Sequence, residues 1–231
     1  MVRVLSLLIV LGLTLGTCGW IVAQSGDGSG SVTKRPLDLP SGGRGEEEDE
    51  EDAPETITFY GSEYEGDGFF WCLDKSCSMG WNGEINTLKQ EVTQAVNSLS
   101  TRAEFSLVSF SGNTVVWSPF PQKANPATKA AAIAWVQNIS AGGWTCLAPA
   151  GVQTVNISNQ SSKRRKQVLI LSDGVPTCNG QNTQAECLAN ITAANWQGTP
   201  VNTLYISADD AGINFMQQLA QMNNGTFTLV E

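Results

Sequence analysis

The chain contains no histidine. That absence excludes a Ser-His-Asp triad, a Cys-His nucleophile pair, and imidazole as a zinc ligand or general base. Basic side chains are also few, with 13 Lys and Arg against 22 Asp and Glu. Nucleic-acid binders carry a basic face, so a phosphate-tracking surface is not expected, and no nucleic acid is read as a partner. The opening apolar run, Val4 to Leu15 after Arg3, has the length of a signal h-region and is short for a membrane span.

What is present divides into three parts. Residues 1–25 read as an export signal, with small-residue cleavage sites after Ala23 or Ser25. A lesser reading takes Leu15-Gly16-Thr17-Cys18 as a lipoprotein box that tethers the chain to a membrane through Cys18. A third is an uncleaved anchor, because the apolar run resumes at Trp20 to Ala23. Each reading exports the rest of the chain to a secreted, periplasmic or cell-surface location, where disulfides form. Residues 26–55 read as a linker, rich in Gly, Ser and Pro. Ten acidic and three basic residues lie between Gly26 and Thr58, seven of them in the run Glu46–Asp52. Such a run repels itself and lacks apolar side chains, so it is expected as a flexible, solvated spacer. Residues 56–231 suit one domain.

Within that domain, Phe69-Phe70-Trp71-Cys72-Leu73 is an apolar run suited to a buried strand. It breaks into Asp74-Lys75-Ser76-Cys77-Ser78. Ile85, Leu88, Val92, Ala95, Val96 and Leu99 then recur at helical spacing, with Asn82 as the candidate N-cap. Ala103–Phe110 and Thr114–Trp117 read as a hairpin at a sheet edge. Asn125-Pro126 opens a helix to about Asn138, and a second helix runs from about Pro149 to Ile157. Lys163–Lys166 reads as the solvated close of that helix region, with binding of an acidic partner as the alternative. A second apolar strand, Gln167–Ser172, ends in Asp173-Gly174. A helix to Trp196, a strand at Pro200–Ile206, a helix at Asp210–Met222 and a strand at Gly225–Val230 complete the order. Strands alternate with helices, which predicts an α/β fold: a doubly wound open sheet, mostly parallel with one antiparallel edge strand, and helices on both faces. In such sheets ligands bind beyond the carboxyl ends of the strands, so Asp74 and Asp173 should share one rim.

Asp74-x-Ser76-x-Ser78, Thr145 in a Gly-Gly loop, and Asp173-Gly174 after an apolar strand together resemble the metal-ion-dependent adhesion site of von Willebrand factor type A domains, of which integrin I domains are examples. The resemblance covers roughly Thr56 to Glu231. It implies that Ser76 and Ser78 ligate a divalent cation directly, that Thr145 does so directly or through water, and that Asp74 and Asp173 act mostly through waters. Oxygen-only ligands favour Mg2+, with Mn2+ or Ca2+ as alternatives. Neutral hydroxyl ligands leave the cation most of its charge, so it would attract a carboxylate from a protein partner. The function implied is an adhesion or interaction module. The alternatives are a metal-free scaffolding module of the same fold, or a metal-dependent hydrolase, against which the missing histidine and the lack of an Asp-x-Asp pair both count.

Cys77 stands where that family commonly has glycine, and Cys146 follows the site threonine. If both loops meet at the metal, these two cysteines could pair. Cys178 and Cys187 are the preferred pair, because they close a short local loop, and Cys72 is expected as a buried free thiol. Trp81 and Trp144 flank the site loops and read either as an aromatic rim or as loop packing. Asn138, Asn156, Asn159, Asn190 and Asn224 lie in Asn-x-Ser/Thr sequons.

Overall fold

The computed structural model describes residues 53–230. The expected signal or anchor, the Cys18 box and most of the acidic linker lie outside the described residues. In chain order the elements are β1 (Glu55–Phe59), β2 (Ser62–Gly66), β3 (Gly68–Asp74), α1 (Glu84–Ser98), β4 (Glu104–Phe110), β5 (Thr114–Val116), β6 (Gln122–Lys123), α2 (Pro126–Gln137), α3 (Leu147–Ser158), β7 (Lys166–Ser172), β8 (Thr177–Cys178), β9 (Gln181–Asn182), α4 (Gln184–Ala194), β10 (Val201–Tyr205), α5 (Asp210–Met222) and β11 (Phe227–Leu229).

β3 is buried at all seven positions, as its unbroken apolar run requires of a strand covered on both faces. It lies in the middle of the main sheet, ordered β11-β10-β7-β3-β4-β5. Pairing is parallel from β11 through β4. β5 and the short β6 both run antiparallel to β4, so two pieces of chain share the antiparallel edge. The alternation of β3 divides the core. Phe69, Trp71 and Leu73 face one layer with Leu88 and Val92 of α1 and Val136 of α2. Phe70 and Cys72 face the other with Val155 of α3, Ile191 of α4 and Met216 of α5.

An element not anticipated from the sequence is the β1–β2 hairpin. Its two turn residues, Tyr60 and Gly61, have φ of 49° and 74°. Left-handed conformations at both central positions match the twist of a two-residue hairpin. Alternate residues Ile57, Phe59 and Tyr64 are buried and join the core layer of α1. The signal was the alternation itself, in a stretch at the start of the expected domain to which the sequence reading assigned no element.

Two local readings need correction. Gly83, with φ 88°, is the N-cap of α1, not Asn82. The Glu84 carboxylate instead accepts from the Asn82 backbone N (3.0 Å) and Nδ2 (2.9 Å). Lys163–Lys166 does not close a helix: α3 stops at Ser158, and Lys166 opens β7 with its ammonium donating to Ser158 O and Gln197 Oε1. The long lysine stem allows a charged residue to be buried once its head finds acceptors.

The disulfide is Cys146–Cys178, Cα–Cα 4.6 Å. Neither Cys178–Cys187 nor Cys77–Cys146 forms. An antiparallel bridge pairs Thr145 with Thr177, which carries the two following cysteines side by side. Cys187 is buried on α4 and Cys77 is exposed. Closeness in sequence was a poor guide because the pairing is set by two loops meeting at the sheet rim. Burial pushes the Cys187 thiol up to about 12 and the Cys72 thiol higher still, so both are inert packing groups.

Candidate metal centre

β3 and β7 are adjacent and parallel, so their carboxyl ends open onto the same rim. The chain leaves β3 at Asp74 through a tight turn in which the Ser76 backbone N donates to Asp74 Oδ1 at 2.7 Å. This is the local self-capping that makes Asp a turn residue. The turn directs the following hydroxyls inward: Ser76 Oγ and Ser78 Oγ lie 3.2 Å apart. Ser78 Oγ donates to Asp173 Oδ1 at 2.8 Å, and Ser76 Oγ approaches the same oxygen at 3.4 Å. The Asp74 and Asp173 loops, 99 positions apart in the chain, therefore meet in one cluster of oxygens.

The loop carrying Thr145 is laced to both. Gly142 N donates to Lys75 O (2.8 Å), Cys77 N to Gly143 O (3.1 Å), and Thr145 N to Thr177 O (2.9 Å). A Cβ placed on Gly174 would come within 3.7 Å of Thr145 Oγ1 and 3.9 Å of Ser78 Oγ. Both hydroxyls thus face the bare Gly174 backbone, and all five anticipated residues converge on one rim. The Cys146–Cys178 disulfide ties the Thr145 loop to the segment that follows Asp173.

Asp74 is fully buried. Its Oδ2 accepts from Ser172 Oγ at 2.5 Å, a contact the sequence reading missed although Ser172 directly precedes Asp173. Burial pushes the Asp74 carboxyl up to about 7, against the hydrogen bonds from Ser172 and Ser76 that favour the ionised form. Asp173 is also raised, again chiefly by burial. Neither carboxylate has an ion-pair partner among the described residues. Lys75, the cation in the same loop, turns away and donates to Ser111 Oγ at 2.9 Å. Among the described residues there is no cluster of three or more Cys, Asp or Glu side chains that could hold a metal. The donor set here is instead two carboxylates and three hydroxyls, all oxygen and carrying uncompensated negative charge. That set fits a small, hard divalent cation.

Around the rim, Trp81 and Trp144 are 77% and 50% exposed, so neither is consumed by packing. The Trp144 ring rests near Gly112 and Gly180, where a Cβ would approach it at 3.7 and 3.8 Å.

A doubly wound sheet with an oxygen-lined rim at β3 and β7 defines a class of domain, and the sequence agrees with it. The family model for the von Willebrand factor type A domain matches residues 72–229, and the chain belongs to that family. No curated protein sequence matches the chain. Among solved structures it is similar to a von Willebrand factor type A protein from Catenulispora acidiphila (TM-score 0.64, 19% identity, covering 73% of this chain and 40% of that one). It is also similar to the PilB minor pilin from Streptococcus sanguinis (TM-score 0.59, 13% identity, covering 76% and 57%). A third is proximal thread matrix protein 1 from the mussel byssus (TM-score 0.53, 19% identity, covering 76% and 45%). At these identities the likeness shows the fold, and the chain spans only about half the length of these three.

Proposed function

We propose that this is an extracytoplasmic interaction module that binds a protein partner through a divalent cation, Mg2+ by preference, held by Ser76, Ser78, Thr145, Asp74 and Asp173. The observation that carries the reading is the convergence of Ser76 Oγ, Ser78 Oγ and Asp173 Oδ1 into one cluster with no ion-pair partner among the described residues. The bound cation would supply positive charge at the rim, and with it attraction for a partner carboxylate. The chain's own residues do the rest. Asp74 orients the loop through the Ser76 N–H, Ser172 fixes the Asp74 carboxylate, and the Thr145 loop is clamped by its backbone bonds. Trp81 and Trp144 offer apolar area for the partner's neighbouring side chains. The chain is read as a binding protein and not an enzyme, on the missing histidine and the lack of an Asp-x-Asp pair. Export is supported by the Cys146–Cys178 disulfide. The Streptococcus sanguinis protein of similar fold is a pilin, which accords with a surface role.

A metal-free interaction module remains as the second reading, because the 2.8 Å Ser78–Asp173 bond satisfies both groups without an ion. Thermal unfolding under a Mg2+ titration separates the two. Cation binding raises Tm in the intact chain and does so no longer in Asp74→Ala or Ser76→Ala; an intact chain whose Tm ignores Mg2+ would favour the metal-free module.

A further inference from the structure

The end of the sheet opposite the candidate metal centre, where the parallel strands begin, has the reverse electrostatic character. Arg102 precedes β4, Lys123 pairs with Glu104 in the β6–β4 register, and Lys163 and Arg165 precede β7. These four residues line a groove of 370 Å³ together with Ala53, Glu55 and Asp67. Arg164 lies beside it. The acids of this region are already engaged. Asp67 accepts from Arg165 Nε at 2.9 Å. Glu55 accepts from Ser100 N at 2.9 Å and from Ser100 Oγ. Glu104 accepts from Ser161 Oγ at 2.6 Å and Ser162 Oγ at 3.3 Å. Lys123, Lys163 and Arg164 have no ion-pair partner among the described residues.

Ala53 is the first described residue, and it lines this groove. The seven residues before it, Glu46-Glu47-Glu48-Asp49-Glu50-Glu51-Asp52, are all acidic. We propose that the groove is the docking site for that acidic segment of the same chain. Two features that the metal-centre reading leaves unused, the acidic run and the basic cluster, are thereby one interaction. Seven extended residues reach about 24 Å, enough to cross the groove from Ala53. A segment tethered this closely has an effective concentration in the millimolar range, so even weak charge complementarity holds it.

The test uses the full chain and a variant neutralised by Glu→Gln and Asp→Asn at all seven positions of 46–52. The probe is the synthetic peptide Glu-Glu-Glu-Asp-Glu-Glu-Asp, followed by fluorescence anisotropy. The neutralised variant binds it at least about tenfold more tightly than the intact chain, because the intact groove is occupied, and raising the salt weakens that binding. In the neutralised variant, Lys123→Gln with Lys163→Gln abolishes it. Carbodiimide coupling of the intact chain followed by mass mapping joins acids of 46–52 to Lys123 or Lys163, not to Lys75, Lys89 or Lys129. Equal peptide binding by intact and neutralised chains overturns the proposal and assigns the groove to an outside acidic partner. Coupling spread evenly over exposed lysines overturns it outright, with or without peptide binding.

Discussion

The two ends of one sheet solve opposite charge problems by different means. At the strand ends, Asp74 and Asp173 are gathered with hydroxyls and have no ion-pair partner among the described residues. At the strand starts, basic side chains exceed the acids near them and stand in solvent. Burial is what separates their energetics. The Arg165–Asp67 pair, with side chains 45% and 22% exposed, is solvated and screened and is worth about 1 kcal/mol or less. The buried carboxyl of Asp74 carries its desolvation as a raised pKa. The exposed end tolerates its imbalance in solvent, while the buried end keeps its carboxyls only at a desolvation cost.

The largest expected effect comes from breaking the covalent tie at the buried end. Cys146→Ser with Cys178→Ser opens a link spanning 32 positions, and loop entropy sets the loss of stability at about 3–4 kcal/mol. Denaturant unfolding measures it, and Mg2+ affinity falls in the same variant because the Thr145 loop is released. A loss below about 1 kcal/mol would show that the loops are held by their backbone bonds alone.

Asp74 gives the next largest effect, and its sign depends on pH. The folded-state pKa lies near 7 and the unfolded value near 3.8, so the unfolded chain releases its proton first. Metal-free stability is therefore full below the unfolded value, falls as pH rises through about 7, and then levels off a few kcal/mol lower. Asp74→Asn removes this slope and raises the metal-free Tm at pH 8, while abolishing stabilisation by Mg2+. A variant that keeps the wild-type pH profile would mean that another group carries it. The smallest effect belongs to the opposite end: Asp67→Asn changes unfolding free energy by about 1 kcal/mol or less and leaves Mg2+ affinity unchanged. A loss of Mg2+ affinity there would show that the two ends are coupled.

Much of this contrast was legible in the residues. β3 and β7 stand out because Phe69–Leu73 and Val168–Leu171 are buried on both faces, and strand-to-rim geometry then brings Asp74 and Asp173 together. The limits of α5, Asp210–Met222, were also readable, with Asp209 capping by accepting from Gly212 N. What escaped was set by tertiary contact. The β1–β2 hairpin has the right alternation, but its strands are five residues each and only Ile57, Phe59 and Tyr64 bury apolar side chains, so the apolar signal is weak. The disulfide follows from the Thr145–Thr177 bridge, which no local spacing announces. Lys166 looked like surface charge because its two acceptors, on α3 and in the loop after α4, are remote in sequence.

The central claim is that the Asp74–Ser76–Ser78–Thr145–Asp173 rim holds a divalent cation. Isothermal titration of Mg2+ into the intact chain at pH 7.5, beside the Ser76→Ala/Ser78→Ala double variant, tests it most directly. The account predicts one saturable site in the intact chain, weakened at least about tenfold in the variant, equivalent to 1.4 kcal/mol or more. Equal heats from the two proteins, or no binding by the intact chain, would contradict it.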